Sequence, residues 1–245
     1  MGEVSITELA PLSTFSRVVV FTGAGISTAS GLPTYRGDGG TWTDDEARRA
    51  SEASTIDTDL GAVWRLWGGL AHRAAAAGPN AAHTALANAE TSLKSRHGAL
   101  TVVTQNVDGL HQRAGQRDVI ELHGSAHEQR CLECGTGATF SGTGETVPLC
   151  GECGAQTRPG IVLFGESLDV AALERAWEEA SRCELLLAVG TSCAVSPASN
   201  IVGVAREAGA MCVSLTRDPL PLNPGFHATV TGRAELELPR WVAER

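Results

Sequence analysis

Hydrophobic positions gather in short, nearly unbroken runs rather than in strict alternation with polar ones. Arg17 to Phe21 (RVVVF), Leu100 to Thr104 (LTVVT), Val119 to Leu122 (VIEL), Glu184 to Val189 (ELLLAV) and Met211 to Leu215 (MCVSL) are strand-sized and mostly rich in valine or leucine. Such runs predict strands covered on both faces, as in a parallel sheet. Between them lie stretches that read as helices, notably Asn80 to Lys94, Leu168 to Arg182 and Pro197 to Glu207. Alternating strands and helices predict an α/β fold built on an open, doubly wound parallel sheet. No run approaches the roughly 20 apolar residues of a membrane-spanning helix, so no membrane partner is expected.

Four of the runs end in polar or glycine-rich clusters: Gly23-Ala24-Gly25, Gln105-Asn106-Val107-Asp108, His123-Gly124-Ser125 and Gly190-Thr191-Ser192. In sheets of this kind ligands bind outside the carboxyl ends of the strands, so the four clusters should meet in one crevice. Two segments stand outside the pattern. Residues 41–78 are helical in composition and carry Trp42, Trp64 and Trp67, while 126–157 are rich in Gly, Thr, Ser and Cys without usable periodicity. The expected organisation is therefore a sheet domain from residues 1–40, 79–125 and 158–245, with a smaller lobe formed by the two insertions. A cleft between lobe and sheet is a natural small-molecule site.

Composition narrows the chemistry. The 245 residues, 42% of them hydrophobic, can bury an ordinary core. Lys and Arg total 19 against 28 Asp and Glu, for a net charge of -9, and Lys94 is the single lysine. A Walker-type phosphate loop or Schiff-base chemistry needs a lysine in the site, and the acidic balance disfavours direct nucleic-acid binding. Macromolecular partners should be basic. The beginning of the chain has no secretory pattern, and the cysteine count is odd, which together predict a reducing, cytoplasmic setting and metal ligation rather than disulfides. Cys131 and Cys134, then Cys150 and Cys153, form two CxxC pairs with 15 residues between them. That is zinc-ribbon spacing: four thiolates close a tetrahedral site, so the zinc would be structural and would help fold a segment that lacks core residues.

The other motifs admit plain structural readings. Gly23 to Ser27 (GAGIS) after a strand suits a diphosphate but is not a full GxGxxG, because Thr28 stands at the last position; it also suits a tight turn before a helix. Tyr35 and Arg36 follow Gly31 and Pro33 and should sit on a loop over the nucleotide, or else pack beneath it. His123, at a strand end beside Gly124, is placed as a general base would be. Asn106 and Asp108 suit a ribose or carboxamide, or an Asx turn into Gly109. His111 and His127 are assigned to packing.

Taken together, GAGISTASGLPTYRG (Gly23 to Gly37), TQNVDGLHQRAG (Thr104 to Gly115), ELHGS (Glu121 to Ser125), the paired CxxC, RPGIVLFGE (Arg158 to Glu166) and VGTSCAVSPA (Val189 to Ala198) resemble the sirtuin family of NAD-dependent protein lysine deacylases, bacterial type. The resemblance implies a Rossmann-like NAD-binding domain with a small domain of a helical module and a zinc ribbon, NAD and zinc as cofactors, and acyl-lysine proteins or peptides as substrates. It further implies transfer of the acyl group to the ribose of NAD with release of nicotinamide. His123 would be the base, with Asn106 and Asp108 in the catalytic centre. Gly23, Ala24, Gly25, Thr28, Tyr35 and Arg36 would line the diphosphate and ribose; Gln105, Asn106 and Asp108 the ribose and nicotinamide; Gly190, Thr191, Ser192 and Thr216 the adenosine half. Val162, Phe164, Gly165 and Glu166 would form the edge to which the peptide adds as a strand.

Departures from the family pattern bear on detail. Tyr35 stands where phenylalanine is usual, and Thr216 where many members have Asn. GDGGTW (Gly37 to Trp42) resembles a branch that includes desuccinylases, whose acyl pocket carries Tyr and Arg three residues apart. Counting back from Pro79-Asn80 puts Trp67 and Leu70 at those positions. Without a guanidinium to pair an acidic acyl group, a neutral one such as acetyl is expected, unless Arg65 or Arg73 reaches the pocket. Desuccinylation and protein mono-ADP-ribosyltransfer are the alternative activities.

Overall fold

The computed structural model describes residues 2–35, 40–41, 44–218 and 224–243. Two sheets form. The larger has seven parallel strands: β1 (Gly2–Glu3), β2 (Arg17–Thr22), β3 (Ala99–Thr104), β4 (Val119–Glu121), β8 (Leu185–Val189), β9 (Met211–Thr216) and β10 (Ala228–Thr231), in the order β1-β10-β9-β8-β2-β3-β4. The smaller is antiparallel, with β5 (Gly124–Cys131) between β6 (Gly137–Thr139) and β7 (Thr157–Ile161). The five apolar runs of the sequence are β2, β3, β4, β8 and β9.

Both faces of the large sheet are covered, which is why its strands read as continuous apolar runs. Along β2, Val18 and Val20 face a core with Leu86, Leu93 and Trp241, while Val19 and Phe21 face another with Ile201, Val202 and Ala180. The first face is covered by α4 (Ala81–Ser95) and α8 (Ala234–Ala243), the second by α6 (Val170–Arg182) and α7 (Ile201–Glu207). From β2 the chain proceeds outward to β3 and β4 on one side, and β8, β9 and β10 fill the other. The order thus reverses between β2 and β8, and a crevice opens at that switch point, outside their carboxyl ends.

The second lobe has its own core. In α3 (Leu60–Ala76), Leu60, Val63, Trp64, Trp67, Leu70, Ala71 and Ala74 recur at three- and four-residue intervals and are buried together. The Trp64 indole N–H donates to the Thr157 carbonyl at 2.7 Å, and its ring lies 4.5 Å from that of Phe140. One side chain therefore ties the helical insertion, which also holds α1 (Asp45–Arg49) and α2 (Thr55–Thr58), to the small sheet. The small sheet is broader than the second insertion as delimited by composition: β5 begins at Gly124 and β7 runs to Ile161. Pro159 lies within β7, an edge strand where a missing N–H is tolerated.

Candidate active site

The four strand-end clusters meet in a cavity of about 900 Å³. Gly23, Ala24 and Gly25 after β2, Gln105 and Asn106 after β3, His123 after β4, and Gly190, Thr191 and Ser192 after β8 all line it, as do Thr28, Tyr35 and Thr216. Arg36, expected beside Tyr35, lies outside the described residues, as does Trp42.

The glycines of the first cluster have a role that its pattern did not suggest. A Cβ on Gly25 would stand 2.7 Å from Gly190 Cα, and one on Gly190, whose φ is +60°, would stand 2.5 Å from Ile26 N. The two loops at the switch point press backbone against backbone, with Gly25 N–H donating to Gly190 O at 2.9 Å. These glycines bring the β2 and β8 loops together, and the shape of the cavity floor follows from that contact.

His123 is held by its main chain and by one ring nitrogen. Its carbonyl accepts the Val162 N–H at 3.0 Å, and Nδ1 lies 2.9 Å from the Gln105 carbonyl. A carbonyl only accepts, so Nδ1 carries the proton and Nε2 keeps its lone pair. Burial lowers the pKa of the ring below its ordinary value, with the Gln105 carbonyl pulling the other way. Gln105 is itself fixed, its side-chain amide donating to Thr191 Oγ1 at 2.8 Å.

Asn106 and Asp108 part company. Asn106 lines the cavity; its Nδ2 donates to the Gly23 carbonyl at 3.1 Å, leaving the buried Oδ1 without a hydrogen-bond partner. Asp108 does not line the cavity: its carboxylate accepts the Ser27 hydroxyl at 2.7 Å and the Leu110 amide at 3.0 Å, the Asx turn that opens α5 (Leu110–Arg113). Its charge is still felt at the wall, since burial first and Asp108 second raise the Tyr35 phenol well above its usual range.

Val162, Phe164, Gly165 and Glu166 line the opposite wall. The main chain of Phe164 is already paired, its N–H to Ser51 O at 2.8 Å and its carbonyl to Ala53 N at 2.9 Å. The Glu166 carboxylate turns inward, where it takes the Arg158 guanidinium on both oxygens and the Leu163 amide at 2.8 Å. Burial alone would raise that carboxyl, but the hydrogen bonds from Arg158 and Leu163 outweigh it and hold the pKa below the usual value. Trp67 reaches the cavity, its ring tilted at 43° to that of Tyr35 with centroids 5.9 Å apart. Leu70, expected beside it at the acyl pocket, is not on the wall; one helical turn away, it packs in the lobe core. Arg65 faces Glu46 at 3.6 Å and Asp59 at 3.8 Å, and neither it nor Arg73 lines the cavity.

Cys131, Cys134, Cys150 and Cys153 have their sulfurs within 4.8 Å of one another, with contacts as short as 3.4 Å. A tetrahedral zinc with Zn–S bonds of about 2.3 Å needs sulfurs about 3.8 Å apart. Each CxxC pair ends in a glycine of positive φ, Gly135 at +72° and Gly154 at +76°, so the two turns match. The eight residues of β5 separate Cys131 from the His123 loop by up to about 26 Å, at roughly 3.3 Å per residue.

A model of the Sir2 family matches residues 23–197. Among named relatives, NAD-dependent protein deacylase 2 of Pyrobaculum aerophilum is 42% identical over 234 residues, covering 95% of this chain and 92% of that protein. NAD-dependent protein deacylase 1 of Pseudomonas aeruginosa is 43% identical over 232 residues, covering 90% and 91%. A crystal structure of a Sir2 homolog bound to NAD superposes with a TM-score of 0.88 at 32% identity, over 99% of this chain and 95% of that one.

The chain belongs to the Sir2 family.

As a sirtuin it is an NAD-dependent protein deacylase with NAD and zinc as cofactors, and the residues fit both. The thiolates have the spacing a zinc ion requires, and the cavity is lined by Asn106, whose buried Oδ1 is an acceptor without a partner among the described residues. A related sirtuin, Sir2Tm, has been solved with a propionylated peptide, and superposes with a TM-score of 0.79 at 30% identity over 94% of this chain and 93% of that one. Several lining residues of this sirtuin escaped the sequence reading: Ser51, Val195, Ser196, Arg233 and Glu235. The last two flank Ala234, the first residue of α8, which follows β10, and their signal was present in the polar step from Thr231 to Arg233. It was missed because the short run ATVT alternates, unlike the other strands.

Proposed function

We propose that the protein removes neutral acyl groups, acetyl foremost, from lysine side chains of other proteins. The observation that carries this reading is the wall around Trp67: Tyr35, Val107, Ile161, Leu163 and Phe164 accompany it, and no described cation does. The described cations of the cavity, Arg217 and Arg233, stand at the β9 and α8 end and pair with Asp218 and Glu235. A succinyl carboxylate buried beside Trp67 would lack a partner, at a cost that disfavours it against acetyl.

When bound, NAD supplies an activated glycosidic carbon and nicotinamide as the leaving group. His123 Nε2, neutral and directed by the Nδ1 bond to Gln105, takes the proton of a ribose hydroxyl. Asn106 Oδ1 accepts from the ribose. Asp108 acts through Ser27 and the start of α5, keeping the Asn106 turn in place. Tyr35 and Trp67 exclude water from the acyl group. Gly190, Thr191, Ser192 and Thr216 hold the adenosine half. The peptide lies along Gly165 and the Val162 carbonyl, since the main chain of Phe164 is occupied. In this reading the sheet domain carries NAD, the two insertions form the small lobe, and the protein works in the cytoplasm, where zinc thiolates stay reduced.

The test is a panel of acetyl-, propionyl- and succinyl-lysine peptides of one sequence, following nicotinamide release and the deacylated peptide. Acetyl should exceed succinyl in kcat/KM by at least about tenfold. Faster succinyl removal would overturn the assignment of acyl group while leaving the family intact.

A further inference from the structure

We propose that His111, on α5 and outside the cavity, is a positioning residue that fixes the direction of the hydrogen bonds beneath Asn106 and thereby the affinity for NAD. The inference rests on the reading of Asn106 as a ribose ligand.

His111 is fully buried, and its Nε2 lies 3.1 Å from Thr22 Oγ1. The Thr22 hydroxyl donates to Thr104 Oγ1 at 2.8 Å, and the same oxygen accepts the Asn106 amide at 3.0 Å. Thr22 has one proton and spends it on Thr104. A bare Nε2 would then face an oxygen lone pair with no proton between them, so Nε2 carries the hydrogen and Nδ1 does not. Nδ1 accordingly has no partner. The order of donors runs His111, Thr22, Thr104, and Thr104 is left as the acceptor that holds the Asn106 main chain. With its backbone held there and Nδ2 on Gly23, Asn106 keeps a fixed place in the cavity wall, its Oδ1 the one polar atom of the side chain left without a partner among the described residues.

The next ring extends the network. His83 lies edge-on to His111 at 4.9 Å, and its Nδ1 accepts the Asn80 amide at 3.3 Å. Asn80 in turn donates to Ile26 O at 2.8 Å and Ser30 Oγ at 3.0 Å, on the helical turn after Gly23. Two cofactor-side loops are thus registered from beneath by residues that touch neither NAD nor peptide. Packing alone would be served equally by a leucine at position 111; a directed chain needs a donor where Nε2 sits.

The experiment compares His111→Leu, His111→Gln and Thr22→Val with the unaltered zinc-loaded protein, using calorimetric binding of NAD and thermal melting, with KM for NAD and for acetylated peptide determined alongside. His111→Leu should weaken NAD binding by about threefold to tenfold, the scale of one lost hydrogen bond, with peptide KM unchanged. Gln, which places an amide N–H near the Nε2 position, should restore most of it, and Thr22→Val should reproduce the defect even if the leucine variant folds poorly. Equal binding by Leu and Gln variants, or normal binding by Thr22→Val, would overturn the proposal. Because binding of NAD is read without turnover, these outcomes are separable from failure of acetyl-lysine as the substrate.

Discussion

At the scale of single residues, the proposed base, His123, is oriented by the bond its other ring nitrogen makes. With Nδ1 committed to Gln105 O, His123→Ala should lower kcat by about 10² to 10⁴ in the acetyl-peptide assay while NAD still binds. Burial depresses the pKa of the ring, so the active neutral form persists below pH 6.5 and activity should fall only on the acid side of that value. His83 and His111 make a second pH prediction. Burial lowers them to about 4 and about 3, so each binds its proton more weakly folded than unfolded. Stability from both is complete above the unfolded value near 6.5 and drains away as pH falls toward 4; denaturant midpoints at pH 7.5, 6 and 4.5 should decline in that order. Midpoints flat across that range would count against buried neutral rings. His123 was legible because a polar residue ending an apolar run has one place to go. Leu70 was not, since chain position does not say whether a side chain turns into a cavity or away from it, and it became core; at Asp108 the pattern suited a ribose contact and an Asx turn alike, and the side chain makes the turn.

The elements show the same division. The strand runs were legible because a sheet covered on both faces leaves no polar alternation, whereas β10 alternates and α8 carries Pro239 in its interior. The small sheet was invisible in its hydrophobicity because Gly, Thr and Cys build it, and its order comes from two glycine-ended knuckles and from Trp64. Two consequences follow for these elements. Zinc removal by a strong chelator should open residues 126–157 to limited proteolysis and abolish deacylation, even though Cys131 and the His123 loop lie at opposite ends of β5, because that strand delivers both. At Gly124, φ is +72° and a Cβ would meet Gly160 O at 2.3 Å. Gly124→Ala should therefore cost about 1–3 kcal/mol from the backbone conformation alone and displace the His123 loop, read as a lowered melting temperature together with a lowered kcat.

For the molecule as a whole, the shortage of lysine and the excess of acid act on what approaches the cleft. The single lysine, Lys94, is paired at 2.5 Å with Glu90, a buried carboxylate that also accepts the Arg117 amide, so the protein offers little lysine of its own to acyl chemistry. A net charge of -9 attracts basic segments from a distance, and such attraction is the part of binding that salt removes. The screening length falls from about 10 Å at 0.1 M to about 3 Å at 1 M, so a peptide whose acetyl-lysine is flanked by arginines should lose affinity across that range, while one flanked by alanines should hardly change. The expected rise in KM for the basic peptide is about threefold to tenfold, with kcat nearly constant because the groups around His123 are buried and weakly screened. A parallel rise for both peptides would mean that salt acts on the NAD end or on the fold, and that the acidic surface has no part in selecting substrates.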